Sequence, residues 1–285
     1  MVTKRRLRFP DLVPHLVLLV GVAIQVFPVY MAIIGSTHDA ATIGRGRLPL
    51  TPGTHMAENY IQAWAYGTGE RVSGTPVRIM MANSLVMAIV IAAGKILVSV
   101  LAAYAVVFFR FPGRMFFFWL IFITLMLPLE VRIIPSYKVV SDFGLLNTLA
   151  GLTLPLMVSA TGTLLFRQVF LTIPKEMLDA AKIDGAGPMR CLWSIILPLG
   201  LPSIAALFVI LFVYGWNQYL WPLLITTEQR MDTIVIGIVK MLGTSESLMD
   251  WNLVMATTVM AMGPPVAVVI LLQRWLVKGL VETEK

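Results

Sequence analysis

Side chains able to do chemistry are few in this 285-residue chain, and they are unevenly placed. The stretch LDAAKIDGAGPMRCLWSIILP (178–198) carries Asp179, Lys182, Asp184 and Arg190, although only 13% of the chain is charged. Lys95 stands alone inside a long apolar run. Neither pattern is that of a reaction centre. The sequence holds no Gly-x-Ser-x-Gly nucleophile elbow and no Gly-x-x-x-x-Gly-Lys-Ser/Thr loop. Its one internal Gly-Lys pair, Gly94-Lys95, has Ile89 where the first glycine of such a loop would stand. The stretch 184–190 has an Asp-Gly step but not the acidic cluster of a membrane phosphotransferase. His15, His38 and His55 lie far apart and Cys191 is the only cysteine, so neither a zinc site nor an internal disulfide is expected. The chemistry open to these residues is binding, docking and charge placement.

The elements that must position them are set by solvent. The chain is 58% hydrophobic with a mean hydropathy of +0.84, and it has half the ~25% charged content of a soluble domain. A bilayer is the solvent this composition fits. Apolar runs near the ~20 residues needed to cross ~30 Å of hydrocarbon fall at 12–34, 79–109, 115–129, 149–166, 199–224 and 253–276. The third is short, and Ile133 and Ile134 are where it would continue. These runs predict an all-α, polytopic membrane protein with six transmembrane helices. No run alternates as a barrel strand would.

The net charge of +7 does not signal nucleic acid, because the basic residues sit at the ends of apolar runs rather than in one aromatic-laced patch. Their distribution instead sets orientation. Lys4, Arg5, Arg6, Arg8, Arg110, Arg114, Arg167, Lys175, Lys182, Arg190, Arg274, Lys278 and Lys285 fall on the side of the N-terminus. The longer opposite loops carry fewer. The positive-inside rule then puts both termini in the cytoplasm. The expected organisation is a tail and first span (1–34), an outward loop (35–78), a core (79–276) with a cytoplasmic loop at 172–198, and a tail (277–285).

That cytoplasmic loop reads as two short helices. Thr172 is an expected cap, Pro174 falls in the first turn, and 175–184 forms the first helix. Met177, Ala180 and Ala181 share a face by their spacing. Gly185 suits the left-handed residue that ends a helix. Pro188 opens the second helix, which runs through Ile195 to Leu197-Pro198.

Asp179-Ala180-Ala181, three residues, Gly185, nine residues, then Ile195-x-Leu197-Pro198 resembles the EAA loop of binding-protein-dependent ABC importer permeases. Asp179 stands where that pattern has Glu. FITLMLPLEVRIIP (122–135), LLNTLAGLTLPL (145–156) and YGWNQYLWPLLI (214–225) are similar to the carbohydrate-uptake branch. PGTHMAEN (52–59) and GWNQYLWPLL (215–224) resemble its sn-glycerol-3-phosphate members. The resemblance implies the type-1 importer permease fold, with the 172–198 loop seated in a cleft of an ATPase subunit. It further implies a second permease subunit, a homodimer of the ATPase that alone uses ATP and Mg, and a periplasmic or lipid-tethered binding protein. The chain itself would bind no cofactor and catalyse no bond chemistry. Its place would be the bacterial inner membrane. Import of a neutral sugar or a glycerophosphodiester is the alternative cargo. An ion-coupled secondary carrier is the alternative class, and the absence of a clear internal repeat speaks against it.

Candidate pathway residues are Asn83, Lys95, Trp216, Asn217 and Tyr219, with Gln218 and Trp221 beside them. Lys95 lies mid-run, where a charge faces protein or a wet cavity. It either lines the route and balances a phosphate, or snorkels and pairs structurally. Amides beside aromatics suit a polyol, whereas Trp and Tyr near a span end also serve as interfacial anchors. Arg132 reads as a boundary residue in preference to a phosphate contact. Ala92, Gly94, Ser99, Ala102 and Ala103 permit close helix packing.

Overall fold

Pro-, Gly- and Asn-containing breaks divide long apolar runs into helices of unequal length. The computed structural model describes residues 9–46, 49–67, 74–242 and 250–281. The basic N-terminal residues (Lys4, Arg5, Arg6, Arg8) and Lys285 lie outside them. In chain order the helices are α1 (Phe9–Gly35), α2 (Ala40–Gly44), α3 (Met56–Tyr66), α4 (Val77–Phe108), α5 (Arg114–Met126), α6 (Leu129–Asp142) and α7 (Leu149–Thr153). There follow α8 (Ala160–Leu171), α9 (Lys175–Ile183), α10 (Pro188–Cys191), α11 (Leu197–Trp216), α12 (Leu220–Ile225), α13 (Ile234–Leu242) and α14 (Trp251–Val281). No strand occurs among the described residues.

Four helical segments are each long and apolar enough to cross a membrane: Val13–Gly35, Val77–Phe108, Pro188–Trp216 and Trp251–Val277. A further pair, Leu149–Leu156 with Ala160–Leu171, is apolar enough when taken together but is bent by 52° at its break, the form of a broken span or a re-entrant loop. Pro155 lies in the 3-10 turn that ends its first half, and Ser159 caps the second half by accepting from Gly162 N at 3.1 Å. The run expected as the third span differs more. Leu127 is extended (ψ 127°) because it precedes Pro128, and a residue before proline is pushed out of the α region. Helix α5 therefore stops at 13 residues, about 20 Å. Ile133 and Ile134 belong to the separate helix α6, the first buried and the second exposed.

The expected fifth span begins earlier and ends sooner than 199–224. It is continuous from Pro188 to Trp216. Between α10 and α11 lies one π turn, Leu192–Ile196, in which Leu197 N–H reaches back to Leu192 O. Pro198 follows with no N–H to donate, and a widened turn accommodates such a gap in the ladder. Asn217 then ends α11, and 220–225 forms α12.

The chain forms two compact units. In the first, residues 1–78 and 238–262, the exit from α1 is held by polar side chains. Thr37 Oγ1 accepts from Gly53 N at 2.7 Å, and Asn59 Nδ2 donates to Ser36 O and His38 O at 2.9 and 2.8 Å. Asn252 Nδ2 donates to Asn59 Oδ1 at 2.8 Å. Gly53 is required there, since a Cβ would sit 2.5 Å from Thr37 O.

In the second unit, residues 79–237 and 263–285, Met87, Ile91, Ile133, Val140, Leu152, Leu156, Trp221 and Ile225 form the core. Trp221 is fully buried and its Nε1 donates to Gly151 O at 3.2 Å. Small residues let backbones meet. A Cβ on Gly215 would lie 3.0 Å from Ala88 Cα, and one on Gly94 would lie 2.6 Å from Met157 Cγ.

Candidate functional site

The polar loop is built as a pair of short helices joined by a tight turn. Helix α9 starts after Pro174 (φ −58°, ψ 132°), which occupies the cap position itself. Thr172 does not cap α9, contrary to the sequence expectation. Its hydroxyl donates to Val169 O at 2.7 Å and closes α8 instead. Gly185 has φ +78°. Ala186 N donates to Ala181 O at 2.8 Å and Gly185 N to Lys182 O at 3.0 Å. These are the two bonds of a Schellman ending. Pro188 is at the start of α10, where its missing N–H is harmless.

The faces of α9 divide differently from the expected grouping of Met177, Ala180 and Ala181. Leu178 is buried and Ala181 half-buried, while Met177, Ala180 and Ile183 form the exposed side. Ile183 is 87% exposed, and Met189 and Trp193 on the following helix are also exposed. Met189 of α10 and Trp193 of the π turn line a groove with Ala93, Leu97 and Leu101 of α4 and Leu201 and Phe208 of α11, so the exposed apolar side of α9 itself is Met177, Ala180 and Ile183. Asp179 pairs with Lys182 at 2.9 Å, both two-thirds exposed, a geometry that contributes little stability by itself. Of the closing motif, Ile195 and Leu197 are half-buried and Pro198 exposed, while the intervening Ile196 is fully buried. Tyr104 Oη donates to Pro188 O at 2.8 Å. It ties the far end of α4 to the first residue of α10. The sequence offered no spacing signal for this bond, because its partners are 84 residues apart.

The second polar place lies along α4, α6 and α11. Lys95 is only 7% exposed, and its Nζ sits 3.9 Å from the centroid of the Tyr214 ring. No ion pair to Lys95 occurs among the described residues. Arg132, in the first turns of α6, is near enough for its charge to act on both Lys95 and Tyr214. Its Nε is buried and has no hydrogen-bond partner among the described residues. Glu130 is the acidic group acting on Tyr214, and it forms no ion pair with Lys95 or Arg132. An intramembrane cation costs ~2.5–3.5 kcal/mol on insertion scales, while a cation–π contact returns ~0.5–2 kcal/mol. The ring offsets part of the burden, and the second cation adds to it.

The remaining pathway candidates are scattered. Asn83 spends its amide on Arg230 O and Asp232 O at 2.9 and 3.0 Å, pinning the 230–232 loop to α4. Trp216 is buried and stacks on Phe212 at 6.0 Å. Asn217 is exposed at the end of α11, and Tyr219 is 39% exposed before α12. Gln218 Nε2 donates to Tyr214 O at 3.1 Å. Another polar clamp was not legible in the sequence. Asn147, at φ +56°, accepts from Thr227 N at 2.7 Å and Glu228 N at 3.1 Å, holding the end of α12.

Residues 95–282, from this buried lysine through the two-helix loop and along α14, match the pattern of the family described as binding-protein-dependent transport system inner membrane component. The chain belongs to that family. Curated relatives agree over the whole length. A protein of Rhizobium meliloti (strain 1021) named sn-glycerol-3-phosphate transport system permease protein UgpE is 57% identical over 285 residues, covering 100% of both chains. Proteins of the same name from Brucella melitensis (biotype 1, strain 16M) and Agrobacterium fabrum (strain C58) are 55% and 56% identical, each over 96% of this chain and 97% or 96% of their own. Among solved structures, a chain of a bacterial ABC transporter involved in the import of the acidic polysaccharide alginate superposes with a TM-score of 0.80. It is 20% identical and is covered to 99%, with 95% of this chain. That likeness shows the importer permease fold. A member of this family is a multi-pass transport component rather than an enzyme, in keeping with the lack of any catalytic constellation in the sequence.

Proposed function

We propose that this chain is the permease subunit of a bacterial ABC importer that carries sn-glycerol 3-phosphate across the inner membrane. The full-length 57% identity to a permease of that named system carries the reading. The energy source is a separate ATPase homodimer, which binds ATP and Mg. A second permease subunit and a periplasmic binding protein complete the machine, and both termini of this chain face the cytoplasm.

The geometry supports a mechanical role for the 172–198 loop. Helix α9 presents Met177, Ala180 and Ile183. This apolar surface, flanked by Asp179 and Lys182, fits a cleft in the ATPase subunit. Closure of the ATPase dimer on ATP would displace α9 and α10 together, because the Schellman turn at Gly185 fixes their angle. From α10 the displacement passes into α11 without a break in the helix, and through Tyr104 into α4.

The test is uptake of labelled sn-glycerol 3-phosphate by cells lacking their own importer and supplied with this permease, its partner permease, the ATPase and the binding protein. Uptake should require each component, and glycerophosphodiesters and neutral sugars should compete poorly. ATPase-independent uptake, or transport of only the neutral sugar, would refute the reading.

A further inference from the structure

We propose that Lys95 and Arg132, with the Tyr214 ring between their fields, hold the phosphate group of the cargo while it is inside the membrane. The inference rests on the functional reading above and deepens it by naming the groups that make the permease itself selective for a phosphate monoester.

Three observations converge. Lys95 is an almost wholly buried ammonium lying 3.9 Å from an aromatic face, with no carboxylate paired to it among the described residues. A second cation, Arg132, adjoins Ile133, which packs in one buried cluster with Ile91, four residues before Lys95 on α4. The buried Nε of Arg132 lacks a hydrogen-bond acceptor among the described residues. Two like charges placed within reach of each other destabilise an empty protein. An anion of about two charges relieves both at once. A phosphate monoester carries about −1.5 to −2 charges at neutral pH and offers three acceptor oxygens. Guanidinium presents donors in a fork that matches phosphate, and ammonium acts as a point charge on it. The Tyr214 hydroxyl supplies a donor for the polyol or a phosphate oxygen.

Side chains on a helix lean toward its N-terminus, so Lys95 reaches along α4 toward the level where α11 ends, near Tyr214. A Cβ on Gly215 would lie 3.0 Å from Ala88 Cα on the same two helices, which sets their close approach about two turns before Lys95 on α4. A phospholipid headgroup shares the phosphate chemistry but is a diester with a single phosphate charge, a poorer match to two cations.

The whole importer, assembled in proteoliposomes with its binding protein, decides the matter. Initial uptake of sn-glycerol 3-phosphate is measured for wild type, Lys95→Met, Lys95→Arg and Arg132→Gln, alongside recovery of the assembled complex from the membrane. Removing one partner of a desolvated charge contact should slow uptake at least about tenfold in Lys95→Met and Arg132→Gln, with the complexes recovered normally. Lys95→Arg, which keeps the charge, should restore most of the rate. Uptake by both neutral variants within about twofold of wild type overturns the proposal, being far less than the loss of a desolvated charge contact brings. So does loss of complex in Lys95→Met and Arg132→Gln together, which assigns the pair to stability. A defect seen only in vesicles containing phosphatidylglycerol also overturns it and assigns the cations to a lipid headgroup. A wild-type importer that takes up no sn-glycerol 3-phosphate defeats the functional reading itself, before any variant is compared.

Discussion

Gly185 offers the cleanest perturbation of the coupling loop. Its φ of +78° lies in the left-handed region, and no atom lies within 4 Å of the place a Cβ would occupy. A side chain there meets no steric obstacle, so the whole penalty is the backbone conformation. That penalty is ~1–2 kcal/mol for an ordinary L-residue, least for Asn and Asp, and greater for a β-branched one. A change of that size shifts the ratio of formed to unformed turn by about 5- to 30-fold. Helix α9 has only nine residues, and a helix so short is marginal without its ending. The Schellman bonds from Gly185 and Ala186 are its C-terminal closure, so the loop has little reserve to absorb the loss. Uptake of sn-glycerol 3-phosphate should therefore fall in the order Gly, Asn, Ala, Val at position 185. The Val variant should also lose co-purification of the ATPase subunit while its level in the membrane is unchanged. Equal uptake and equal ATPase recovery across the four, or Asn below Val, would refute a role for the turn in holding the two helices at a fixed angle.

Other perturbations test neighbouring parts of the account. Ala181→Glu places a charge on the half-buried side of α9, next to Leu178. It should abolish uptake while the chain still reaches the membrane fraction. Tyr104→Phe removes the 2.8 Å bond to Pro188 O, worth ~0.5–1.5 kcal/mol. It should reduce uptake several-fold and leave complex assembly intact. Gly151→Ala sets a Cβ 2.2 Å from the backbone oxygen of Leu145 and should lower the amount of chain in the membrane. Gly263→Ala, with nothing within 4 Å, should leave that amount unchanged on the same immunoblot. Asn147→Ala strands the Thr227 and Glu228 amides and puts a Cβ residue at φ +56°. It should destabilise the α12 end by ~2–4 kcal/mol, read as a lower melting temperature of the purified complex, with Asn147→Gly less affected.

Local chemistry made the coupling loop legible from residue types alone. Gly185 and Pro188 each have one favoured place at a helix boundary, and the structure puts both there. Long apolar runs likewise betrayed the spans that are single helices. What could not be read was decided by distant partners or by competition within a run. The 115–129 stretch is as apolar as a span, yet one proline at 128 splits it. The π turn at Leu192–Ile196 leaves no mark in the hydrophobic pattern. Trp216 and Trp221, near a span end, look like interfacial anchors in sequence. Their burial follows from Phe212 and from a carbonyl 70 residues away in α7. Asn83 has the composition of a ligand group, but its amide is occupied by the 230–232 loop. Ala180 and Ala181 are adjacent in the motif and diverge in space, since consecutive helical positions point about 100° apart.

The widened turn within Pro188–Trp216 has one more consequence. It inserts an extra residue into an otherwise α-helical rod, so the azimuth of every later side chain slips by about 100° relative to an unbroken helix. A helical wheel drawn across the whole segment must therefore place one of its halves on the wrong side. Cysteine-accessibility scanning along the rod should reveal a phase jump of one position at 192–196, separating a stripe that belongs to the cytosolic joint from one that belongs to the bilayer.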